Sequence, residues 1–249
     1  MEFDTIRAKI DGIPHMDAHH GRLIYDHVRK SRPSLILELG SAHGVSAAYI
    51  CAALEANSHG RLVSIDIDRA TYEPWPVKLF ETLGLSDRAE FIRVPDSSYC
   101  WLLRNQIKEQ SDAAGNCVPL YDFVFIDGAH EFTIDGLATV LATKLLKPDG
   151  WLLLDDLDWT YSGFEHPPPF HMSQSQMDVA NVREVFECIV RGDPSYTEFR
   201  IEDEHWAWAH KGNGPRKLDL VVSEPLSAVA TRKARSVVRE IRRRRANPR

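Results

Sequence analysis

The sequence predicts an α/β protein built on a doubly wound, mostly parallel sheet. Three observations predict it. Short apolar runs alternate with longer stretches of helical spacing from Leu35 onward. The carboxyl ends of these runs carry glycine or acids, where open α/β sheets bind ligands. The chain's 249 residues, 43% hydrophobic and 27% charged, suit one large soluble domain with appendages.

The elements follow in order. Residues 1–31 read as a leading helical segment of one or two helices. Five runs read as strands buried on both faces: Leu35–Leu39, Leu62–Asp66, Glu90–Val94, Phe123–Asp127 and Trp151–Asp155. Between them, helical spacing covers Val45–Ala56, Trp75–Leu83, Ser97–Glu109 and Ile134–Leu146. Pro33 and Pro148 end whatever precedes two of the strands, and Lys147-Pro-Asp-Gly150 is a turn. Trp159 to Met177 breaks the pattern with Pro167–Pro169, as a lid or loop does. A helix is expected over Val179–Val190. Thr197–Glu202 and Trp206–His210 then form a closing antiparallel pair around a turn at Asp203-Glu204. The organisation is thus 1–31, a main domain over 32–212 with a lid-like insertion at 159–177, and a basic tail over 213–249.

Composition excludes several classes. No apolar run reaches the roughly 18–20 residues of a membrane-spanning helix. Met1-Glu-Phe-Asp-Thr has no basic patch followed by an apolar stretch, so no signal peptide is expected. Cys51, Cys100, Cys117 and Cys188 are scattered and form no Cys-x-x-Cys, which disfavours a disulfide framework or a cysteine zinc site. A reducing cytoplasm is the expected location. The net charge of −6 hides an asymmetry. From Arg232 onward there are nine basic residues and one acid, while the rest holds 21 basic and 35 acidic residues. An acidic body argues against a nucleic-acid groove there, though not on the tail.

The first strand ends in Glu38-Leu-Gly-Ser-Ala-His-Gly44 and the second in Ile65-Asp66-Ile67-Asp68. Gly40 and Gly44 are four apart, which is not the spacing of dinucleotide binders. A glycine turn of this kind also serves as a plain strand-to-helix connection. Asp66 stands where an acid can accept hydrogen bonds from ribose hydroxyls. Glu-Leu-Gly-Ser-x-x-Gly, an acid ending the second strand and Asp-Ser after the third resemble the class I S-adenosylmethionine-dependent methyltransferases. The resemblance runs from Leu35 to His210 and implies a Rossmann-like, seven-stranded sheet. It implies that Glu38 and Gly40 line the methionine part of the cofactor, that Asp66 holds the ribose, and that Asp96 and Ser97 sit near the adenine. Ser41, Gly44 and Asp127 complete the expected cofactor set.

The fourth strand ends in Asp127-Gly-Ala-His130-Glu131 and the fifth in Asp155-Asp156-Leu-Asp158-Trp159. In a parallel sheet both clusters emerge beside the glycine turn. Three carboxylates there make a hard-oxygen site suited to Mg²⁺, Mn²⁺ or Ca²⁺, and without a cation they repel. Taken singly, Asp127 also suits a helix cap, His130 a pocket wall, and Asp155-Asp156 a solvated pair, while Asp158 caps or faces water. Asp-x-x-His followed by an acidic pair resembles the metal-dependent sugar O-methyltransferases of macrolide biosynthesis. The catechol and caffeoyl-ester branch has Asp-x-x-Lys and Asp-Asn instead. The resemblance implies Mg²⁺ or Mn²⁺ held by Asp127, Asp155 and Asp156, with His130 as general base. The chemistry is coherent on its own terms. A sulfonium methyl needs an oxygen aligned with it, a chelated diol loses its proton more readily, and histidine titrates near neutrality.

The expected acceptor is a small-molecule hydroxyl, such as a sugar or vicinal diol of a glycosylated natural product or glycan. A catechol-type aromatic acceptor, or RNA bound through the basic tail, are the alternatives. Trp159, Tyr161, Phe164 and Phe170 are candidate platforms for the acceptor. His15, His19, His20 and His27 read as surface or cleft-rim residues, and His43 as space-filling beside the cofactor. Ala230, Ala234, Val237, Val238 and Ile241 give a basic amphipathic helix over Leu226–Arg245, suited to docking on the acidic body of its own chain or of a partner subunit in a homo-oligomer, on an anionic membrane surface, or on nucleic acid.

Overall fold

A computed structural model describes residues 1–67, 75–94, 99–163 and 171–216. Asp96, Ser97, Phe164, Phe170 and the helix expected at Leu226–Arg245 lie outside the described residues. Residues Met1–Arg216 form one compact unit, and the N-terminal helices belong to it.

The strands are β1 (Leu35–Leu39), β2 (Arg61–Ile67), β3 (Ala89–Val94), β4 (Tyr121–Ile126), β5 (Leu146–Leu154), β6 (Tyr196–Glu202) and β7 (Trp206–Lys211). They form one sheet in the order β3-β2-β1-β4-β5-β7-β6, with β7 antiparallel to both neighbours. The first five strands are parallel. The order reverses between β1 and β4, which places the switch point at the glycine turn and at Asp127.

The helices are α1 (Phe3–Lys9), α2 (Ala18–Ser31), α3 (Val45–Asn57), α4 (Pro76–Leu83), α5 (Tyr99–Glu109), α6 (Phe132–Leu145), α7 (Gln174–Met177) and α8 (Asn181–Val185). Strand alternation divides the core into two layers. Ile36, Phe123, Phe125, Leu153, Trp206 and Trp208 face α1 to α4. Leu37, Leu39, Val124, Ile126, Leu152, Leu154, Ala207 and Ala209 face α5, α6 and α8. Helix α3 is apolar all round, because α1 and α2 cover the side that the sheet does not, and every residue from Val45 to Leu54 is buried. Helix α2 starts at Asp17, whose side chain accepts the His20 N–H at 2.9 Å.

Two expectations change in detail. The helix expected from Val179 begins at Asn181, because the Asn181 amide donates to the carbonyls of Gln176 and Val179 and holds that stretch as a loop. It then widens into a π-type turn over Phe186–Val190, with the Arg191 N–H reaching the Phe186 carbonyl. His27 is not a surface residue. Its ring lies 4.7 Å from Trp208, 4.9 Å from Phe123 and 5.7 Å from Trp151. Burial, with the Arg200 and Lys30 charges, pushes its pKa down to about 4. Among the described residues no helix is long and apolar enough to cross a membrane.

Candidate active site

Gly40 turns the chain out of β1 with φ 97°, and a Cβ there would lie 1.7 Å from the Asp127 carbonyl oxygen. Only glycine allows the turn to approach the end of β4 this closely. The Gly40 N–H donates to the Ile65 carbonyl and the Asp127 N–H to the Leu39 carbonyl, so the ends of β1, β2 and β4 are tied together. Asp66 braces the turn from the side. Its carboxylate accepts the Ser41 and Ala42 N–H groups at 2.9 and 2.7 Å and the Ile67 N–H at 2.6 Å. Of roughly four lone-pair sites on the carboxylate, this leaves one for a ligand hydroxyl. Gly44 closes the turn and starts α3.

Glu38 stands next to last in β1, just before this turn. Glu38 is fully buried, and the hydroxyls of Ser46 and Ser64 donate to its two oxygens. Burial pushes its carboxyl up to about 7, against those two hydrogen bonds. Glu38 therefore supports the turn from beneath.

The acids and His130 do converge. The His130 Nε2 lies 3.3 Å from Asp127 Oδ1 and 3.0 Å from Asp156 Oδ2. The side chains of His130, Asp127 and Asp156 are each about a fifth exposed, at 21%, 23% and 22%. Helix α6 is capped by Glu131, which accepts the Thr133 and Ile134 N–H groups at 2.9 Å, so Asp127 is not the helix cap. The His130 loop is held from behind. The Tyr99 hydroxyl donates to buried Asp135, and the Ala129 N–H donates to the same carboxylate at 3.1 Å. A Cβ on Gly128 would lie 2.3 Å from the Tyr99 oxygen, so that position also needs glycine. The Tyr161 hydroxyl donates to the Ala129 carbonyl, and the Trp159 ring lies 5.0 Å from His130. The first residues of the 159–177 segment thus do pack over the cluster.

One residue of the cluster was not anticipated. His205, just after the β6–β7 turn, places Nε2 3.0 Å from Asp155 Oδ1 and 3.6 Å from Asp156 Oδ1. Its Nδ1 lies 2.7 Å from Asp158 Oδ1, so Asp158 pairs with His205 rather than only facing water. Asp155 Oδ1 also accepts the Trp206 Nε1–H and the Asp156 N–H, both at 2.7 Å. The rings of His20 and His205 are 5.1 Å apart, and His15 stacks on His43 at 4.8 Å. His15 thus packs against the glycine turn, and His20 packs against the ring of His205.

The electrostatics are those of crowded acids. Burial, helped by the Asp155 charge, pushes Asp127 up to about 7 against the His130 hydrogen bond. Asp156 is raised by burial, against the two nearby imidazoles. Burial would lower His130, but Asp127 and Asp156 raise it to about 9. The hydrogen bond to Asp155 is the largest cause that takes His205 up to about 10. In chemical terms the donor set suits a divalent cation. Ligand atoms of Asp127, His130 and Asp156 lie within 4.8 Å of one another, as do those of Asp155, Asp156 and His205.

A family model described as a methyltransferase domain matches residues 37–157. No curated protein matches the chain in sequence. Solved structures share the fold at low identity. A candidate caffeoyl-CoA O-methyltransferase from Staphylococcus aureus is 21% identical, with a TM-score of 0.60 over 85% of this chain and 93% of that one. The Bacillus cereus O-methyltransferase in complex with SAH is 18% identical, with a TM-score of 0.58 over 84% and 87%. TomG of Streptomyces achromogenes, an O-methyltransferase involved in tomaymycin synthesis and solved with SAM, is 18% identical, with a TM-score of 0.55 over 85% and 88%. The strand order and the seven-stranded, mostly parallel sheet are those of the Rossmann-like methyltransferase fold.

Proposed function

We propose that the chain is an S-adenosylmethionine-dependent O-methyltransferase that works with a divalent cation, Mg²⁺ or Mn²⁺, on a hydroxyl of a small molecule. The acceptor class is a sugar or other vicinal diol of a glycosylated natural product or glycan. The observation that carries the reading is the Asp127–His130–Asp156 contact, formed beside the Gly40 turn with Asp155 adjoining it. That the Bacillus cereus and Streptomyces relatives are described as O-methyltransferases supports it.

Asp127, Asp155 and Asp156 would hold the cation, which would offset their charge, chelate two acceptor oxygens and lower the pKa of the one to be methylated. The chain's own residues do the rest. Gly40, Ser41, Gly44 and Asp66 shape and brace the cofactor turn, with Asp127 at its edge. Asp96 and Ser97 remain assigned to the adenine side by resemblance. Trp159 and Tyr161 shield the His130 loop from water. His130 Nε2 accepts the acceptor's proton as the oxygen attacks the methyl group. With only carboxylates around it His130 is raised to about 9 and keeps its proton at neutral pH. A cation among the acids would lower the pKa of the imidazole and so suits a base role for His130.

The test is methyl transfer from S-adenosylmethionine to a panel of sugars, aliphatic diols and catechols, with and without Mg²⁺ or Mn²⁺. His130→Ala should lose at least about a hundredfold in turnover while binding S-adenosylhomocysteine as before. Near-normal turnover in that variant removes the base assignment. Preference for catechols would move the reading to the aromatic branch.

A further inference from the structure

The antiparallel register of β5 and β7 pairs Leu154 with Ala207, and continued one step it sets Trp206 beside Asp155. The indole N–H donates to that carboxylate at 2.7 Å. One residue further, the turn with Asp203 and Glu204 both at positive φ carries His205 over the end of β5. The backbone is fixed on both sides. The His205 N–H donates to the Glu202 carbonyl at 3.0 Å, and the Leu157 N–H donates to the His205 carbonyl at 2.9 Å. His205 is therefore built into the site by the sheet itself.

Both ring nitrogens are committed to carboxylates, and in different ways. Nδ1 faces Asp158, whose side chain is 58% exposed and away from the other acids' contact with His130. Nε2 faces Asp155 and Asp156. Histidines that bind metals are oriented in this way, with the far nitrogen donating its proton to a carboxylate and the near one presenting its lone pair. Asp156 joins the two halves of the cluster, with Oδ2 toward His130 and Oδ1 toward His205.

We infer that His205 is a nitrogen ligand of the cation site at Asp155 and Asp156, oriented by Asp158, and that the site therefore takes an imidazole-accepting dication such as Mn²⁺ or Co²⁺ in preference to Mg²⁺. This rests on the metal-dependent reading above and specifies its cofactor. Imidazole suits first-row transition dications, whereas Mg²⁺ takes oxygen donors almost alone. His130 meets Asp127 and Asp156 on the other side of the cluster, which leaves its imidazole for the acceptor's proton.

The experiment uses the full chain with S-adenosylhomocysteine present. Pulsed electron paramagnetic resonance of bound Mn²⁺ reads nitrogen coupling, and calorimetry reads Co²⁺ and Mg²⁺ affinity. The native protein should show histidine nitrogen coupling that His205→Ala loses and His130→Ala keeps. Co²⁺ affinity should fall at least about tenfold in His205→Ala, with Mg²⁺ affinity changed much less. Asp158→Asn, at an exposed side chain, should weaken Co²⁺ by about tenfold and serves if His205→Ala does not fold. Bound Mn²⁺ with no nitrogen coupling, or coupling that survives in His205→Ala, overturns the assignment of His205 while leaving the carboxylate site standing. Equal losses for Co²⁺ and Mg²⁺ overturn the selectivity. If the native protein binds none of the three ions, the metal-dependent reading falls, and this inference with it.

Discussion

Replacing His27 by leucine should remove an acid-sensitive weak point from the core. The imidazole lies among Phe123, Trp151 and Trp208, and its buried Nε2 has no hydrogen-bond partner among the described residues. Its pKa falls from 6.5 to about 4 on folding, with burial the main cause. The unfolded chain therefore binds a proton in a pH range where the folded chain does not. The contribution of neutral His27 is intact above pH 6.5 and is lost as pH falls toward 4. Linkage puts the loss at about 2 kcal/mol between pH 8 and pH 5, and about 3 kcal/mol by pH 4. Leucine has a similar volume and no proton to gain. His27→Leu should match or slightly exceed the native stability at pH 8 and exceed it by about 2 kcal/mol more at pH 5. Urea unfolding of both proteins across that range gives the difference directly, and the other titrating groups cancel in it. In melting temperature the extra gap is roughly 4–8 °C. A difference that does not change with pH would refute the argument, and would mean that His27 is either solvated or paired.

Other substitutions test the scaffold of the site. Gly40→Ala must move the turn away from the Asp127 carbonyl, which a Cβ would approach to 1.7 Å. Displacement of about 1 Å at a reacting centre can cost a hundredfold, so S-adenosylhomocysteine affinity by calorimetry should fall by roughly that factor. Unchanged affinity would show that the turn does not shape the cofactor site. Glu131→Ala removes a cap that holds two N–H groups of α6 and should cost about 1–2 kcal/mol in thermal or urea unfolding, while an unchanged midpoint would deny it the capping role.

Much of the sheet was legible because its strands are short, mostly apolar and followed by glycine or acids. Leu35–Leu39 is bounded as expected, and the other strands shift by one or two residues, except that β5 starts at Leu146 and takes in the Lys147–Gly150 stretch expected as a turn, because Leu146 pairs with Tyr121 ahead of the regular ladder. Asp127, His130, Asp155 and Asp156 were legible as a cluster because parallel strands end on one rim. What was not legible depends on long-range pairing. His205 reaches Asp158 across 47 positions, and only the insertion of β7 between β5 and β6 brings it there. The Asp203-Glu204 turn was a visible signal for the hairpin but not for its target. Asp135 and Tyr99 meet across 36 positions to hold the His130 loop, and neither stands in a motif. His27 was misread because histidine counts as polar, although it precedes Val28 on the inner side of α2, which also buries Ile24. The surroundings of Glu38 were not legible either. Strand alternation turns it under α3, where hydroxyls from Ser46 and Ser64 occupy its oxygens.

The central claim is that the acids at the ends of β4 and β5 hold a cation that the chemistry requires. Mn²⁺ titration followed by electron paramagnetic resonance, with S-adenosylhomocysteine present, tests it most directly when the native chain is compared with Asp156→Ala. The account predicts one tight Mn²⁺ site in the native protein and its loss in the variant. No bound Mn²⁺ in the native protein, or equal binding in both, would contradict it and leave the imidazoles of His130 and His205 as the counter-charges of the cluster.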